Sequence, residues 1–394
     1  MYEDRSQNLQ GSKIRILVNT ISTKKITGGA FQISYNFLLK TLEKTDVDWY
    51  YFTSKDLDEV VGEQFKAIKG TKYFVFPTQP DFLGSYRSVK KQVKELECYI
   101  QPAVVYSLTA PSYFRFKSTE VMRFTNPWVT HPNRYSWNIL PFKDKIRYYI
   151  YIYIQKRMMR HAHYFITQTE TCAEGIIHVT NEPKSHVKVV NNVLPAVFKN
   201  MDNSAINRDE WINIACVGAP TIHKNFDIIP DVLKELNRMD VNNVRFHVTL
   251  PFDDKILKKI DSKLYKYNLA GRLINHGKLS QNELGKLYQS CQFCFLPTLL
   301  EVFSASILEA MYYHLPIVAT DFPFNTEVLR DACLYYQPTN AKSAAEQFYK
   351  LFYNISLQKE LVDKMSKQLL FYDDYDSHFE KIEDFLKTVA LGNL

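Results

Sequence analysis

Two patterns of apolar and polar positions alternate along the whole chain. Short, nearly continuous apolar runs are typical of strands buried on both faces, and the first of them is Ile14–Asn19. The segments between such runs carry apolar residues at helical spacing, as in the segment that contains Phe31, Phe37 and Leu38. Further strands are predicted at 49–53, 73–76, 103–108, 121–125, 164–167, 187–190, 212–218, 244–250, 293–297 and 316–320. This strand–helix alternation indicates an α/β fold with parallel sheets.

The alternation is interrupted in the middle of the chain, which predicts two domains. Residues 196–210 are polar, rich in asparagine and without sustained periodicity, so we interpret them as a linker. We expect an N-terminal Rossmann-like domain over 1–200 and a C-terminal Rossmann-like domain over 201–370. A C-terminal helix over 371–394 is expected to pack back on the first domain. Doubly wound sheets bind ligands beyond the carboxyl ends of their strands, so the site is expected in the cleft between the domains.

Composition narrows the class of protein only a little. Of the 394 residues 46% are hydrophobic, which is ample for two buried cores and excludes a disordered or low-complexity chain. The net charge of +7 is spread along the chain and suits anionic small substrates, an anionic membrane or nucleic acid. No nucleic-acid recognition motif is found, so nucleic acid is not an expected partner. Without a secretory segment, the six cysteines indicate a reduced, cytoplasmic protein.

The most specific pattern is LPTLLEVFSASILEAM, residues 296–311. A strand ends at Pro297, a short loop carries Glu301, and a helix begins near Ser304, a good N-cap residue. The N-terminus of that helix offers backbone N–H groups and a positive dipole end to a diphosphate. Glu309 lies about one turn into the helix, where its carboxylate can bind the hydroxyls of a ribose, and Glu301 is placed to face a sugar.

This segment resembles the Glu-x7-Glu motif of the retaining GT-B glycosyltransferases of family 4. The usual form of that motif is Pro-Ser-x-x-Glu-Gly-Phe-Gly followed by Leu-Glu-Ala, and Val302 and Ser304 stand here in place of its two glycines. The resemblance implies that Glu301 contacts the transferred sugar and that Glu309 binds the nucleotide ribose. The other donor-binding residues implied by the motif are Phe303, Ser304 and Ala305.

A second segment resembles the part of the same family that holds the donor diphosphate. Gly218 matches the glycine of the family's Val-Gly-Arg, and Lys224-Asn225 match a following Lys-Asn. The resemblance implies that Lys224 neutralises the diphosphate as a point charge. The family arginine is replaced by Ala219, so diphosphate binding is expected to depend on Lys224, with His223 or another basic residue compensating.

In the N-terminal half the resemblance is thinner. Gly28 and Gly29 follow the first strand and resemble the family's Gly-Gly loop near the donor phosphates and the acceptor. Many relatives carry a His-Asp pair after a later strand, beside the reacting sugar. Asn126 stands where that histidine is expected, and His131 follows five residues later. Asn126 and His131 are therefore candidate catalytic residues, with Asn126 as a hydrogen-bond donor to a sugar hydroxyl or to the leaving phosphate.

As a whole, the resemblance implies a GT-B fold and a hexosyltransferase-type enzyme. It also implies that the domain over 1–200 is the acceptor-side domain and that the domain over 201–370 binds the nucleotide sugar. Such an enzyme moves a sugar from a UDP- or GDP-sugar to a glycan or lipid-linked acceptor with retention of configuration, typically in bacterial polysaccharide or surface-glycan biosynthesis. No cofactor is expected besides the nucleotide-sugar co-substrate, and no metal, since Lys224 and a helix N-terminus are available to the diphosphate. A nucleotide-sugar epimerase of the same architecture and a non-enzymatic sugar-binding protein are the alternatives.

An aromatic and basic helix is predicted over 141–161, which includes IRYYIYIYIQKRMM. Two interpretations stay open for it. In the first, the helix makes a peripheral contact with an anionic membrane, at its inner face, as a lipid-linked acceptor requires. In the second, the helix packs on the sheet and has basic ends. No apolar stretch of the chain reaches the roughly 20 residues that a membrane span needs.

Overall fold

The first domain is built on a parallel sheet. The computed structural model describes residues 13–25, 29–78, 84–204 and 210–394. The strands of the first sheet are β1 (Ile14–Thr20), β2 (Val47–Ser54), β3 (Tyr73–Phe76), β4 (Val104–Ser107), β5 (Thr119–Arg123), β6 (Tyr164–Thr167) and β7 (Val187–Val189), and they pair in the order β3-β2-β1-β4-β5-β6-β7. Ile16, Leu17 and Val18 of β1 are completely buried because apolar clusters lie on both faces of this central strand, as its continuous apolar run predicts.

The second domain repeats this arrangement with a sheet of its own. Its strands are β8 (Ile212–Cys216), β9 (Val244–Val248), β10 (Leu273–Asn275), β11 (Phe293–Leu296), β12 (Ile317–Thr320) and β13 (Leu334–Tyr336). They pair in the order β10-β9-β8-β11-β12-β13, and the pairings in both sheets are parallel. The strand order reverses between β1 and β4 and between β8 and β11, the positions at which doubly wound sheets bind ligands. The predicted α/β class with two doubly wound parallel sheets is confirmed.

Helices connect the strands and cover the sheets. They are α1 (Gly29–Thr41), α2 (Lys55–Val61), α3 (Tyr86–Ile100), α4 (Pro127–Thr130), α5 (Arg134–Asn138), α6 (Phe142–Met159), α7 (Glu170–Thr180), α8 (Ala196–Lys199), α9 (Ile229–Arg238), α10 (Lys255–Lys266), α11 (Gln281–Ser290), α12 (Ala305–Tyr312), α13 (Pro323–Leu329), α14 (Ala341–Phe352), α15 (Ile355–Leu369) and α16 (Tyr375–Ala390), with 3-10 turns at Gly62–Ile68, Lys184–His186, Ile222–Lys224 and Phe226–Ile228. Across the described ranges, no helix is both long and apolar enough to cross a lipid bilayer.

The chain crosses between the domains twice, once before the strands of the second sheet and once after them. Leu194 and Phe198 are buried in the core of the second domain, so the chain enters that domain before residue 200. At the other end, α16 packs on the first sheet, where Phe379 and Leu386 are fully buried. The ring of Phe379 lies 4.9 Å from the ring of Phe37, so the C-terminal helix completes the core of the first domain.

Side chains of each domain also bond to the backbone of the other. Asn133 Nδ2 donates to the Leu299 carbonyl oxygen at 2.7 Å. In the opposite direction, the Glu327 carboxylate accepts hydrogen bonds from the N–H groups of Glu170 and Thr171, which begin α7. A carboxylate is favourable there because the first N–H groups of a helix lack partners within the helix. These bonds determine how the loops on the two sides of the cleft face each other.

Replacing Phe379 by alanine is expected to lower the free energy of unfolding of the first domain by about 3–5 kcal/mol, because it empties a fully buried aromatic site between α16 and the sheet. Phe371→Ala is the matched control, since that ring is largely exposed and its loss is expected to cost less than about 1 kcal/mol. Urea unfolding of the two variants measures the difference. Equal midpoints for both variants would contradict this role of α16.

Candidate active site

A cleft of about 470 Å³ lies between the two domains. The first domain contributes the loop after β5 together with parts of α4 and α6, and the second contributes the loops after β8 and β11. The lining residues that matter below are Asn126, Trp128, Arg147, Tyr151, His223 and Glu301. Loops at the carboxyl ends of strands from both sheets meet here, where the doubly wound topology places a ligand.

Bonds from neighbouring segments hold the loop that carries Glu301. The Pro297 carbonyl oxygen accepts from Asn225 Nδ2 at 3.2 Å, and the Leu299 N–H donates to the His223 carbonyl oxygen at 2.8 Å. Leu299 is also completely buried. Asn225 has a φ of 55°, in the left-handed region that asparagine adopts more readily than most residues. The loop therefore presents Glu301 from a fixed support, and Asn225 acts by holding that loop.

The Glu301 carboxylate is paired with Lys224. Lys224 Nζ lies 2.6 Å from Glu301 Oε2 and also donates to Ser304 Oγ at 3.4 Å. Burial of Glu301 raises the pKa of its carboxyl, but the charge and the hydrogen bond of Lys224 outweigh burial, so the pKa lies below its usual value. Glu301 is therefore ionised at neutral pH, and the two predicted donor-site charges satisfy each other in the free protein.

Glu309 lies in α12 and is almost completely buried. Tyr288, itself fully buried, donates its hydroxyl to Glu309 Oε2 at 2.7 Å. Burial raises the pKa of Glu309 to about 7, although the Tyr288 bond and the charge of Lys224 act in the lowering direction. Buried carboxyls with strongly shifted pKa values concentrate at functional sites, so the environment of Glu309 supports a role in ligand binding.

The helix N-terminus beside Lys224 contains two of the predicted donor residues. Ser304 is the N-cap of α12, and Ala305 is its exposed first residue. Phe303 has a different position: it is buried in the core of the second domain, and its ring centroid lies 5.3 Å from that of Tyr372. Phe303 therefore supports the loop from the protein interior.

The structure gives little support for a specific role of the three glycines predicted to bind the donor. Gly28 lies outside the described residues, and Gly29 is the exposed first residue of α1. Gly218 lies beside the stem of Lys224, because a Cβ at Gly218 would be 3.5 Å from Lys224 Cδ and Cε. That is an ordinary contact distance, so the space at this position would also accept an alanine.

His131 is bound to the backbone of the Glu301 loop. Its Nε2 lies 2.7 Å from the Glu301 carbonyl oxygen, and its Nδ1 lies 2.8 Å from Thr130 Oγ1. Because a carbonyl oxygen can only accept, Nε2 carries the proton and Nδ1 accepts from the Thr130 hydroxyl. Burial lowers the pKa of His131, which is therefore neutral at pH 7. In this arrangement His131 is a positioning residue that ties the first domain to the Glu301 loop.

Asn126 lines the cleft and at the same time caps α4. Its side-chain oxygen accepts from the Trp128 N–H at 3.1 Å. Its amide nitrogen donates to the Tyr151 hydroxyl at 3.2 Å and to Gln155 Oε1 at 3.4 Å. The amide that we expected to bind a sugar or phosphate is thus already bonded to α6 and connects this helix to the cleft.

Among the other lining side chains, His223 was indicated by the sequence, whereas Trp128, Arg147 and Tyr151 were not identified as site residues. Among the described residues, the buried atoms His223 Nδ1 and Trp128 Nε1 have no hydrogen-bond partner. Burial lowers the pKa of His223 to about 4, so His223 is neutral at pH 7 and cannot supply the compensating charge that we expected beside Lys224. The cation on the first-domain wall is Arg147. The sequence did predict that Arg147 lies in a basic, aromatic helix. Helical periodicity, however, does not show which face of that helix lines a cleft.

Metal ligands are a separate question. In the part of the chain that the structure describes, no group of three or more His, Cys, Asp or Glu side chains is arranged to hold a metal ion. The expectation that donor binding needs neither a metal nor a cofactor stays a prediction.

Known proteins match this chain both in sequence and in fold. Residues 198–368 match the model of the family described as Glycosyl transferases group 1, a range that contains Gly218, Lys224, Glu301 and Glu309. A stretch of 202 residues is 25% identical to an uncharacterized glycosyltransferase of Methanocaldococcus jannaschii. That match covers 50% of this chain and 55% of the relative, so the chain matches about half of the relative's length.

Solved structures resemble the chain over nearly its whole length. A glycosyltransferase from Rickettsia africae has a TM-score of 0.68 at 12% identity, with 96% of this chain and 99% of that chain covered. Anabaena Alr3699/HepE in complex with UDP-glucose has a TM-score of 0.70 at 12% identity, with 95% and 100% covered. The apo form of the lipopolysaccharide outer core galactosyltransferase WaaB has a TM-score of 0.60 at 14% identity, with 97% and 100% covered. The chain therefore has the GT-B fold, as its sequence predicted, and the family match to its second domain supports a glycosyltransferase.

Glu309→Gln is expected to stabilise the protein at about pH 8 by on the order of 1–3 kcal/mol and to have little effect at about pH 5. The pKa of Glu309 is raised from 4.5 to about 7, so ionising this carboxyl opposes folding progressively as the pH rises through that interval. Glutamine keeps an oxygen for the Tyr288 hydroxyl and carries no charge. Urea unfolding at the two pH values measures the change, with the exposed Glu346→Gln as the control. A stability difference that does not depend on pH would contradict the raised pKa.

Proposed function

We propose that this chain is a retaining glycosyltransferase that moves a sugar from a UDP- or GDP-sugar to a glycan or lipid-linked acceptor in bacterial polysaccharide or surface-glycan assembly. The observation that carries the proposal is the cluster of Lys224, Glu301 and Ser304 at the N-terminus of α12, with Glu301 lining the cleft. The match of residues 198–368 to a glycosyltransferase family supports it, as does the UDP-glucose complex of the similar Anabaena protein.

The donor diphosphate is assigned to the N-terminus of α12. The first N–H groups of a helix have no partner within the helix and bind anions. Lys224 Nζ lies 3.4 Å from Ser304 Oγ and adds a positive charge at the same place. Because Lys224 is bonded to Glu301 in the free protein, a phosphate competes for the lysine and frees the Glu301 carboxylate to face the sugar. This arrangement binds the donor without a divalent cation or a further cofactor.

Glu309 is assigned to the ribose of the nucleotide. Ribose hydroxyls donate hydrogen bonds, and an ionised carboxylate offers only acceptors, so the pair is complementary. The pKa of about 7 means that a substantial share of Glu309 is protonated at neutral pH before the donor arrives. Hydrogen bonds from the ribose favour the ionised form and lower this pKa, so donor binding and proton release are coupled.

The acceptor is assigned to the first-domain wall of the cleft. Trp128 and Tyr151 offer aromatic surface there, and Arg147 offers a cation.

Transfer with retention requires the acceptor hydroxyl to attack from the side on which the phosphate departs. The acceptor oxygen bonds to the anomeric carbon while the bond from that carbon to the phosphate oxygen breaks, and the acceptor proton passes to the departing phosphate. No protein base is assigned to this step, because both ring nitrogens of His131 are bonded and its pKa is lowered. The Glu301 carboxylate stabilises positive charge that develops on the sugar.

Lys224→Ala is expected to weaken the binding of the preferred nucleotide sugar by about 10–100-fold, since it removes a charge-assisted hydrogen bond worth about 1.5–3 kcal/mol. Calorimetric titration with a panel of UDP- and GDP-sugars, without added metal, measures the affinity. Because the single variant leaves the Glu301 carboxylate unpaired, the double variant Lys224→Ala with Glu301→Gln separates loss of the phosphate contact from loss of the ion pair. Lys258→Ala, on the exposed face of α10, is the matched control.

Several outcomes would count against this function. Failure of every nucleotide sugar in the panel to bind the wild-type chain would overturn the donor site, and unchanged affinity in both Lys224 variants would remove the diphosphate assignment. Tight binding with neither hydrolysis nor transfer of the sugar would favour a sugar-binding protein. Interconversion of the donor into its epimer would identify the epimerase alternative.

A further inference from the structure

Helix α6 has two apolar faces, and the structure covers only one of them. Ile152, Gln155 and Met159 are buried against the first domain. The opposite face carries six large side chains that are between 46% and 77% exposed, and we call them the α6 stripe: Phe142, Ile146, Tyr149, Ile150, Tyr153 and Ile154. Their spacing of three and four residues places them on one side of the helix over three turns. The helix thus packs on the first domain and has basic ends, as the second sequence-based interpretation has it, but its packing leaves the opposite apolar face uncovered.

Such a surface is unusual for a chain that stands alone in water. Single exposed apolar residues are normal, but a contiguous apolar face of this size typically marks an interaction site. Aromatic and β-branched residues form the α6 stripe, and tyrosine in particular combines an apolar ring with a polar tip. Side chains of this kind are enriched where an apolar phase meets water.

Charge distinguishes between the surfaces that could cover the α6 stripe. The segment 142–160 carries six cations against a single acid, Asp144. The cations are Lys143, Lys145, Arg147, Lys156, Arg157 and Arg160, and none of them forms an ion pair with a residue that the structure describes. A second copy of this chain would bring like charges together across a symmetric interface. Nucleic acid would match the cations but would leave the isoleucines without an apolar partner.

We propose that α6 lies in the plane of an anionic lipid surface, with the α6 stripe inserted at the boundary between headgroups and acyl chains. The isoleucines and Phe142 supply the apolar area, and the flanking cations bind the lipid phosphates. Lysine and arginine reach the headgroups because their long stems lie along apolar surface while the charge stays in water. The helix lies on the membrane and does not span it.

This docking also brings the cleft to the lipid surface. Arg147, Tyr148 and Tyr151 belong to the same helix and line the cleft, so a membrane that contacts the α6 stripe lies next to the wall assigned to the acceptor. The acceptor class that fits this geometry is a glycan attached to a lipid, presented from an anionic bilayer. This assignment of the acceptor rests on the proposed function, whereas the docking itself does not.

Vesicle co-sedimentation of the full chain tests the docking. We expect the chain to pellet with phosphatidylcholine vesicles that contain about 30% phosphatidylglycerol, and to pellet much less with pure phosphatidylcholine or at high salt. The triple variant Ile146→Ser, Tyr149→Ser and Ile150→Ser is expected to weaken partitioning at least about tenfold, since it removes the centre of the apolar area. The matched control is Tyr353→Ser, Ile355→Ser and Leu370→Ser, which removes three comparably exposed apolar residues from the second domain.

Equal partitioning of the two triple variants would overturn the proposal. A second outcome would also overturn it: sedimentation velocity shows a dimer for the wild-type chain and a monomer for the α6 triple variant, and neither of these two proteins binds vesicles. A second copy of the chain would then cover the α6 stripe. Tighter binding to a single-stranded oligonucleotide than to the anionic vesicles would overturn it in favour of nucleic acid. Titration of the wild-type chain with nucleotide sugars separates the two proposals. If the chain binds a nucleotide sugar but no vesicles, only the docking is refuted. If it binds vesicles but none of the nucleotide sugars, only the proposed enzyme is refuted.

Discussion

The ion pair between Lys224 and Glu301 is the interaction on which the cleft depends. It joins the loop after β8 to the loop after β11, and both side chains are largely shielded from water. Removing one member of a shielded pair leaves the other charge without compensation, which typically costs about 3–5 kcal/mol. The backbone carbonyl oxygen of Glu301 also accepts a hydrogen bond from His131 Nε2 of the first domain. Glu301 therefore links the two second-domain loops to each other through its carboxylate and to the first domain through its backbone.

Glu301 and Glu309 are eight residues apart, and their surroundings shift the pKa values of the two carboxyls in opposite directions. Lys224 holds the pKa of Glu301 below its usual value, so this carboxylate is charged and close to the cleft. Burial raises the pKa of Glu309 to about 7, and its stabilising partner is the neutral Tyr288 hydroxyl. Opposed pKa shifts within one site are the usual sign of different chemical roles. In our assignment, Glu301 stabilises developing charge and Glu309 binds hydroxyls.

Elements buried on both faces were predictable, whereas elements at the edges were less so. Ile14–Thr20 and Phe293–Leu296 are continuous apolar runs because both faces of a central parallel strand are covered. Leu273–Asn275 is a short, half-buried edge strand that leaves hardly any pattern. Helix α10 was missed because its few buried apolar residues, such as Leu257 and Ile260, stand among many lysines. The pattern therefore predicted the first sheet out to both of its edge strands, Tyr73–Phe76 and Val187–Val189, but missed both edge strands of the second sheet, Leu273–Asn275 and Leu334–Tyr336.

By itself, the sequence determined what local spacing controls: the strand–helix alternation, the α/β class with two parallel sheets, and a separation that places Glu301 in a loop and Glu309 in the following helix. The tertiary structure alone decided that His131 bonds to the backbone of Glu301, 170 residues away. It alone decided that the α6 stripe stays uncovered. The physical reason is that periodicity shows that a face is apolar but not what covers it, and that partners distant along the chain leave no spacing signal.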